Sequence, residues 1–195
     1  MLVTDRHATG DRDLVDVVVR ALDAGLPAVQ LREKDLTGRA LLALAERLRK
    51  ATAARGAALF VNDRLDVALA VGADGVHLGE RSFPVDVARV VLSHATIGAS
   101  VHDVADAAAS AADFVFFGPV FATPSKALFG EPQGTVRLAE AVRAAAVPVL
   151  AIGGIDRETV AAVRATGAHG MAVIRAILAA ADPAEATRAL VAAWS

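Results

Sequence analysis

The sequence predicts a closed parallel (β/α)8 barrel, a TIM barrel, in a single domain spanning residues 1–195. Three observations carry that prediction. Short apolar runs alternate with longer Ala-, Leu-, Arg- and Glu-rich segments from one end to the other, the pattern of a parallel sheet covered by helices. The alternation repeats eight times, the number at which such a sheet closes on itself. No glycine fingerprint follows the first apolar run, whereas a doubly wound open sheet normally carries one there and has fewer strands. The chain has 195 residues, close to the lower limit of about 200 for this fold, so loops at the end away from any site must be minimal.

The elements follow in order. Leu2–Thr4 reads as the first strand and Leu14–Ala24 as a helix stopped by Gly25, a residue suited to helix ends. Ala28–Leu31 is the second strand, followed by a helix from Gly38 to Arg55 with apolar residues at helical spacing. Ala58–Val61 is the third strand, and the helix Leu65–Val71 ends at Gly72. Gly75–Leu78 is the fourth strand, with a helix over Val85–Leu92. Thr96–Ser100 and Phe114–Phe117 are the fifth and sixth strands, separated by the Ala-rich helix Val104–Ala111. Then come a helix over Val136–Ala145, a seventh strand Val147–Ile152 and a helix Arg157–Ala165. Gly170–Ile174 is the eighth strand, and helices over Ala176–Ala180 and Ala184–Ala192 close the pattern.

Composition narrows the function classes. The chain is 55% hydrophobic with mean hydropathy +0.47, yet charged residues interrupt every apolar run well before bilayer length, so no membrane span is expected. A net charge of −2 and a pI near 6.2 give no electrostatic case for nucleic acid or a membrane surface. With no cysteine, disulfides, thiol catalysis and Cys-ligated metals are excluded. The opening MLVTDRH lacks the basic-then-apolar layout of a signal peptide, which makes a cytoplasmic protein the expectation. So apolar a chain also raises the expectation of a homodimer.

In a barrel of this kind the site lies at the carboxyl ends of the strands, and that rule selects positions. After the second strand come Gln30, Arg32, Glu33 and Lys34. Alternation sends Gln30, Arg32 and Lys34 one way and Leu31 and Glu33 the other. Two cations and an amide then converge as a cradle for a diphosphate; the alternative is a strand end whose charges pair with Glu33 and Asp35. After the third strand, Asp63 could hold a magnesium ion that bridges phosphate oxygens, with Asn62 donating to the same anion. Against that, Asn or Asp commonly caps a following helix, here Leu65–Val71. His77, inside the fourth strand, reads first as a satisfied structural histidine. Ser100 and His102 lack a third group with matching logic, which argues against a hydrolase triad. Ser100 is expected as a hydroxyl donor, and His102 as the start of the next helix.

The sixth strand opens into a long segment holding Thr123, Pro124, Ser125, Lys126, Gly130, Pro132 and Gly134. Loops this long in compact domains usually bind a ligand or cover one, and a Lys among hydroxyls and glycines is a seat for phosphate. Gly153-Gly154 after the seventh strand, together with Gly170 and the helix start after Ile174, forms a second candidate anion cradle. Two cradles at one mouth suggest a pair of small phosphorylated substrates.

At these residues the chain resembles the thiamin phosphate synthase family and its relatives the thiazole tautomerases. The matching pieces are Leu2-Val3-Thr4-Asp5, Gln30-Leu31-Arg32-Glu33-Lys34, Val61-Asn62-Asp63-Arg64 and Ala73-Asp74-Gly75-Val76-His77-Leu78-Gly79. They continue with Gly98-Ala99-Ser100-Val101-His102, Phe117-Gly118-Pro119-Val120-Phe121, Thr123-Pro124-Ser125-Lys126 and Ala151-Ile152-Gly153-Gly154-Ile155. The resemblance implies a (β/α)8 enzyme that couples hydroxymethylpyrimidine diphosphate to thiazole phosphate, with Mg2+ as cofactor. It assigns Gln30, Arg32, Lys34 and Asn62 to the diphosphate and pyrimidine and Asp63 to the metal. Ser100 and Lys126 would reach the leaving group, making Lys126, Arg32 and Ser100 the catalytic set. Thr123, Ser125, Gly153, Gly154 and the strand-eight end at Ile174 would hold the thiazole phosphate.

Some positions depart from that pattern. Ser82 stands where synthases usually carry a second acidic metal ligand, with Glu80 two residues earlier. Ser125-Lys126-Ala127-Leu128 lacks the Asp that usually follows the loop lysine, and Arg175 replaces a small hydroxyl residue. Ser82-Phe83 and the Gly130–Gly134 region look more like the tautomerase branch, but Pro119 stands where that branch can use a histidine. Tautomerisation of a thiazole carboxylate phosphate is therefore the second expectation, with His102 or His77 moving the proton. A non-enzymatic phosphate-ligand-binding or regulatory relative is the third.

Overall fold

The computed structural model describes residues 1–123 and 131–194. Among them run the strands β1 (Leu2–Val3), β2 (Ala28–Leu31), β3 (Ala58–Asn62), β4 (Gly75–Leu78), β5 (Thr96–Val101), β6 (Phe114–Phe117), β7 (Val149–Ile152) and β8 (Gly170–Ala172). The helices are α1 (Leu14–Asp23), α2 (Gly38–Ala53), α3 (Leu65–Val71), α4 (Val85–Val91), α5 (Val104–Ala109), α6 (Gly134–Ala144), α7 (Val160–Arg164), α8 (Arg175–Leu178) and α9 (Pro183–Trp194). Each strand pairs in parallel with its sequence neighbour, in the order β1 to β8. Leu2 bridges Val173 in parallel, and the Val3 N–H donates to the Val173 carbonyl at 2.9 Å. The sheet closes there, as the alternation predicts.

The ends of elements have local causes. Asp13 caps α1 by accepting from the N–H groups of Val15 and Asp16, and α3 stops at Gly72 with φ 59°. The seventh strand starts at Val149 rather than Val147; Pro148 has no N–H to give the ladder. Just past β1, the Thr4 N–H donates to the Gln30 carbonyl at 2.9 Å and its hydroxyl accepts the Arg32 N–H at 2.9 Å, which fixes how the chain exits β2.

Period-two alternation sorts every strand into two faces. Val29, Leu31, Leu59, Val61, Val76, Leu78, Val115 and Phe117 face the helices in one continuous core. Val3, Phe60, Phe114, Phe116 and Ala172 form a second core, the packed barrel interior. There two of the three rings lie on a glycine of the neighbouring strand: Phe60 pairs with Gly75 and Phe114 with Gly98, whereas Phe116 pairs with Ser100. A methyl group at Gly98 would come within 2.2 Å of the Phe114 ring. The phase that sends these phenylalanines inward also sends Gln30, Asn62, His77 and Ser100 inward, one layer nearer the carboxyl ends. Among the described residues no helix is long and apolar enough to cross a membrane.

Candidate active site at the barrel mouth

A cavity of about 720 Å³ opens at the carboxyl ends of the strands, with Gln30, Asn62, His77, Ser100, Phe116, Ile152 and Ile174 on its wall. Its rim carries Arg32, Lys34, Asp63, Arg64, Glu80, Arg81, Ser82 and His102.

A directed chain of hydrogen bonds runs across three strands at its base. Gln30 Nε2 donates to Asn62 Oδ1 at 3.0 Å, and Asn62 Nδ2 donates to Asp63 Oδ2 at 2.7 Å. The other Asp63 oxygen accepts from the Gly79 N–H at 3.2 Å and from the Ser82 hydroxyl. An ionised carboxylate only accepts, so it fixes the polarity of everything upstream. Asn62 must turn its NH2 toward Asp63 and its oxygen toward Gln30, and Gln30 must give its own NH2. Gln30 Oε1 is left without a hydrogen-bond partner among the described residues, on a side chain 1% exposed. A buried acceptor of this kind is costly unless a ligand supplies the donor.

Asp63 reaches its place by way of backbone strain. Its φ is 61°, in the left-handed region that non-glycine residues seldom occupy. The expectation that Asn62 or Asp63 caps the next helix is corrected here. The N-cap of α3 is Arg64, with no side-chain capping bond, and both side chains turn to the cavity.

The rim is cationic. Glu33 and Asp35, the alternative partners for Arg32 and Lys34, are taken by others. Glu33 accepts from the Arg6 backbone N–H at 3.1 Å and from its guanidinium at 3.2 Å. Asp35 pairs with Arg6 and with His7. Arg64 pairs with Asp66. Among the described residues no carboxylate lies within ion-pair distance of Arg32, Lys34 or Arg81. Partial burial lowers the Lys34 pKa, and the charges of Arg32 and Arg81 lower it further against the opposing pull of Asp63.

His77 and Ser100 meet below this rim, Nε2 to Oγ at 2.9 Å. The His77 ring is buried and lies 4.1 Å from that of Phe116. His102 does not begin the next helix. Asp103 caps α5, and His102 Nδ1 lies 2.8 Å from the Gly118 carbonyl, tying the exit of β5 to that of β6. A carbonyl only accepts, so this contact places a proton on Nδ1.

Across the mouth, Gly153 and Gly154 have φ of 103° and 65°. A Cβ at Gly153 would lie 2.7 Å from Pro119 Cα, and one at Gly154 would lie 2.7 Å from Phe121 Cβ. The glycine pair is what lets the loops after β6 and β7 pack together. Thr123 stands half-buried on the first of these loops. Ser125 and Lys126 lie outside the described residues.

Two contributors come to light only in the structure. Arg81 follows the fourth strand, where the strand-end rule applies. Thr4 stands at the end of the first strand, where its buried hydroxyl takes a backbone partner. For a metal, the donor set is narrow: no group of three or more His, Asp or Glu among the described residues could hold one. One carboxylate beside cationic side chains fits a magnesium ion that takes its remaining ligands from a bound phosphate and water.

Comparison with known proteins gives one consistent answer. Residues 1–177 match the family model described as thiamine monophosphate synthase. The chain is 52% identical to a Geobacter sulfurreducens protein provisionally described as a thiamine-phosphate synthase, covering 98% of this chain and 92% of that one. It is 48% identical to the thiamine-phosphate synthase of Roseiflexus castenholzii, over 97% of this chain and 85% of that one. Among solved structures, thiamine phosphate pyrophosphorylase from Pyrococcus furiosus superposes with TM-score 0.92 at 36% identity, covering 99% and 93% of the two chains.

Proposed function

The chain belongs to the thiamine monophosphate synthase family, and on that premise we propose that it joins hydroxymethylpyrimidine diphosphate to thiazole phosphate, releasing pyrophosphate. The observation that carries the reading is the directed chain Gln30–Asn62–Asp63 beside Arg32 and Lys34, cations with no ion-pair partner among the described residues. It presents an acceptor for a pyrimidine amino group next to a cationic seat for its diphosphate.

In the reaction the C–O bond to the diphosphate breaks, and its electron pair leaves with the diphosphate. The pyrimidine ring spreads the positive charge left on its methylene carbon, and the thiazole nitrogen lone pair forms the new C–N bond. Arg32 and Lys34 stabilise charge as it develops on the leaving oxygens, without reorganising. When His77 donates from Nε2, the Ser100 hydroxyl keeps its own proton for the same anion. Gly153 and Gly154, with Thr123 opposite, hold the thiazole phosphate, so that the nucleophile waits within reach. For Ser125 and Lys126, outside the described residues, the family resemblance implies the thiazole phosphate and the leaving group respectively. Magnesium, held by Asp63, would supply a second positive charge to the departing diphosphate. We place the reaction in the cytoplasm, where phosphorylated precursors are retained and a cysteine-free chain meets no redox demand.

The test is incubation with both phosphorylated precursors and Mg2+. Thiamin phosphate and pyrophosphate are expected in equal amounts, and the absence of thiamin phosphate at every metal concentration would refute the proposal.

A further inference from the structure

Among the described residues four lysine and arginine side chains border the cavity, and their partners separate them. Arg64 is neutralised by Asp66, with Nε to Oδ1 at 2.8 Å and a second bond at 2.6 Å. Arg32, Lys34 and Arg81 have no such carboxylate among the described residues, and all three line the same opening. Arg32 and Lys34 come from the loop after β2, whereas Arg81 reaches in from the loop after β4, on the far side of Asn62 and Asp63. Their charges are felt mutually, since Arg32 and Arg81 both oppose the protonation of Lys34.

Like charges gathered at one opening repel one another, and an anion that spans them relieves that repulsion. Asp63, the carboxylate whose charge Lys34 feels, is already engaged. Asp63 spends one oxygen on Ser82 and Gly79 and the other on Asn62. It therefore turns neutral donors, not cations, into its contacts.

We propose that Arg81 is a substrate-binding residue, the third arm of a clamp with Arg32 and Lys34 that grips the diphosphate from the side opposite β2. The inference rests on the synthase reading given above. A planar guanidinium can engage two oxygens of one phosphate, so Arg81 suits the outer phosphate while Arg32 and Lys34 take the inner. Because the clamp is made of side chains, it grips diphosphate without a divalent cation.

The experiment is calorimetric titration with inorganic pyrophosphate in EDTA, for wild-type protein, Arg81→Gln and Arg81→Lys. Wild-type protein is expected to bind. Arg81→Gln should weaken pyrophosphate binding about tenfold or more, the effect of losing a charge-assisted hydrogen bond. Arg81→Lys should fall between, and thiazole phosphate affinity should be the same in all three. Equal pyrophosphate affinity in wild type and Arg81→Gln overturns the assignment. Wild-type protein that binds none in EDTA, or parallel loss of both ligands in the variant, overturns it too. No step of this titration requires turnover, so failure of the coupling reaction and failure of the clamp are read separately.

Discussion

The side-chain amide of Gln30 donates to the Asn62 carbonyl oxygen at 3.0 Å, and the direction of that bond is set by a residue Gln30 does not touch. Asp63, accepting from Asn62 at 2.7 Å, forces the amide orientations in turn. Asp63→Asn removes the constraint, since an amide both donates and accepts, so the Gln30 oxygen no longer has a fixed role. The expected result is a fall in kcat/KM of about 10- to 100-fold, the range for losing a charged hydrogen bond. Thermal stability should change little, because asparagine tolerates the left-handed backbone almost as well. Asp63→Ala should lose comparable activity and also about 1–2 kcal/mol of stability, from the Cβ penalty at φ 61°. Steady-state kinetics and denaturant titration on the two variants separate these effects.

Gly154 is needed for close approach as well as for its backbone angle. Gly56 has the same φ, 65°, with nothing near its missing Cβ, while a Cβ at Gly154 would lie 2.7 Å from that of Phe121. Gly154→Ala should therefore cost more than Gly56→Ala, by about 1–3 kcal/mol of overpacking. It should weaken thiazole phosphate binding more than pyrophosphate binding, since the displaced loops are those after β6 and β7. Chemical denaturation and paired ligand titrations check both statements.

The Lys34 ammonium carries a pH signature. Its pKa in the folded protein lies below the ordinary lysine value, through partial burial first and the charges of Arg32 and Arg81 next. Between the folded and unfolded values the unfolded chain binds more protons, so wild-type stability gains on this account as pH rises through that window. Lys34→Met removes the effect. The variant should be more stable than wild type at neutral pH when empty, and the difference should shrink as pH rises toward the ordinary lysine range. Pyrophosphate should reverse the order. Melting temperatures across pH, with and without the anion, test each part.

Much of this was legible in the sequence because alternation is a strong signal. The run Phe114–Phe117 announces a strand buried on both faces, and its phase fixes which residues share the barrel interior. The rule placing function at strand ends then selects Gln30, Asn62 and Ser100. Less legible was anything decided by competition between partners. Glu33 was a candidate counter-ion for Arg32 and Lys34, but Arg6, 27 residues earlier, takes it. For Asn62 and Asp63 a helix cap competes with ligand binding in the sequence, and only the neighbouring Gln30, Gly79 and Ser82 show which role each takes. Arg81 follows a strand end, but its meaning comes from Lys34, in the loop after β2, two strands away in the barrel.

The central claim is that one mouth holds two phosphorylated groups on opposite sides, poised for coupling. The most direct measurement is a crystal structure of the protein with pyrophosphate, Mg2+ and thiazole phosphate. The account predicts pyrophosphate against Arg32, Lys34 and Arg81 with the metal at Asp63. It places the thiazole phosphate over Gly153 and Gly154, its ring nitrogen facing Gln30. Both anions at the glycine pair, or pyrophosphate bound outside the cavity, would contradict it.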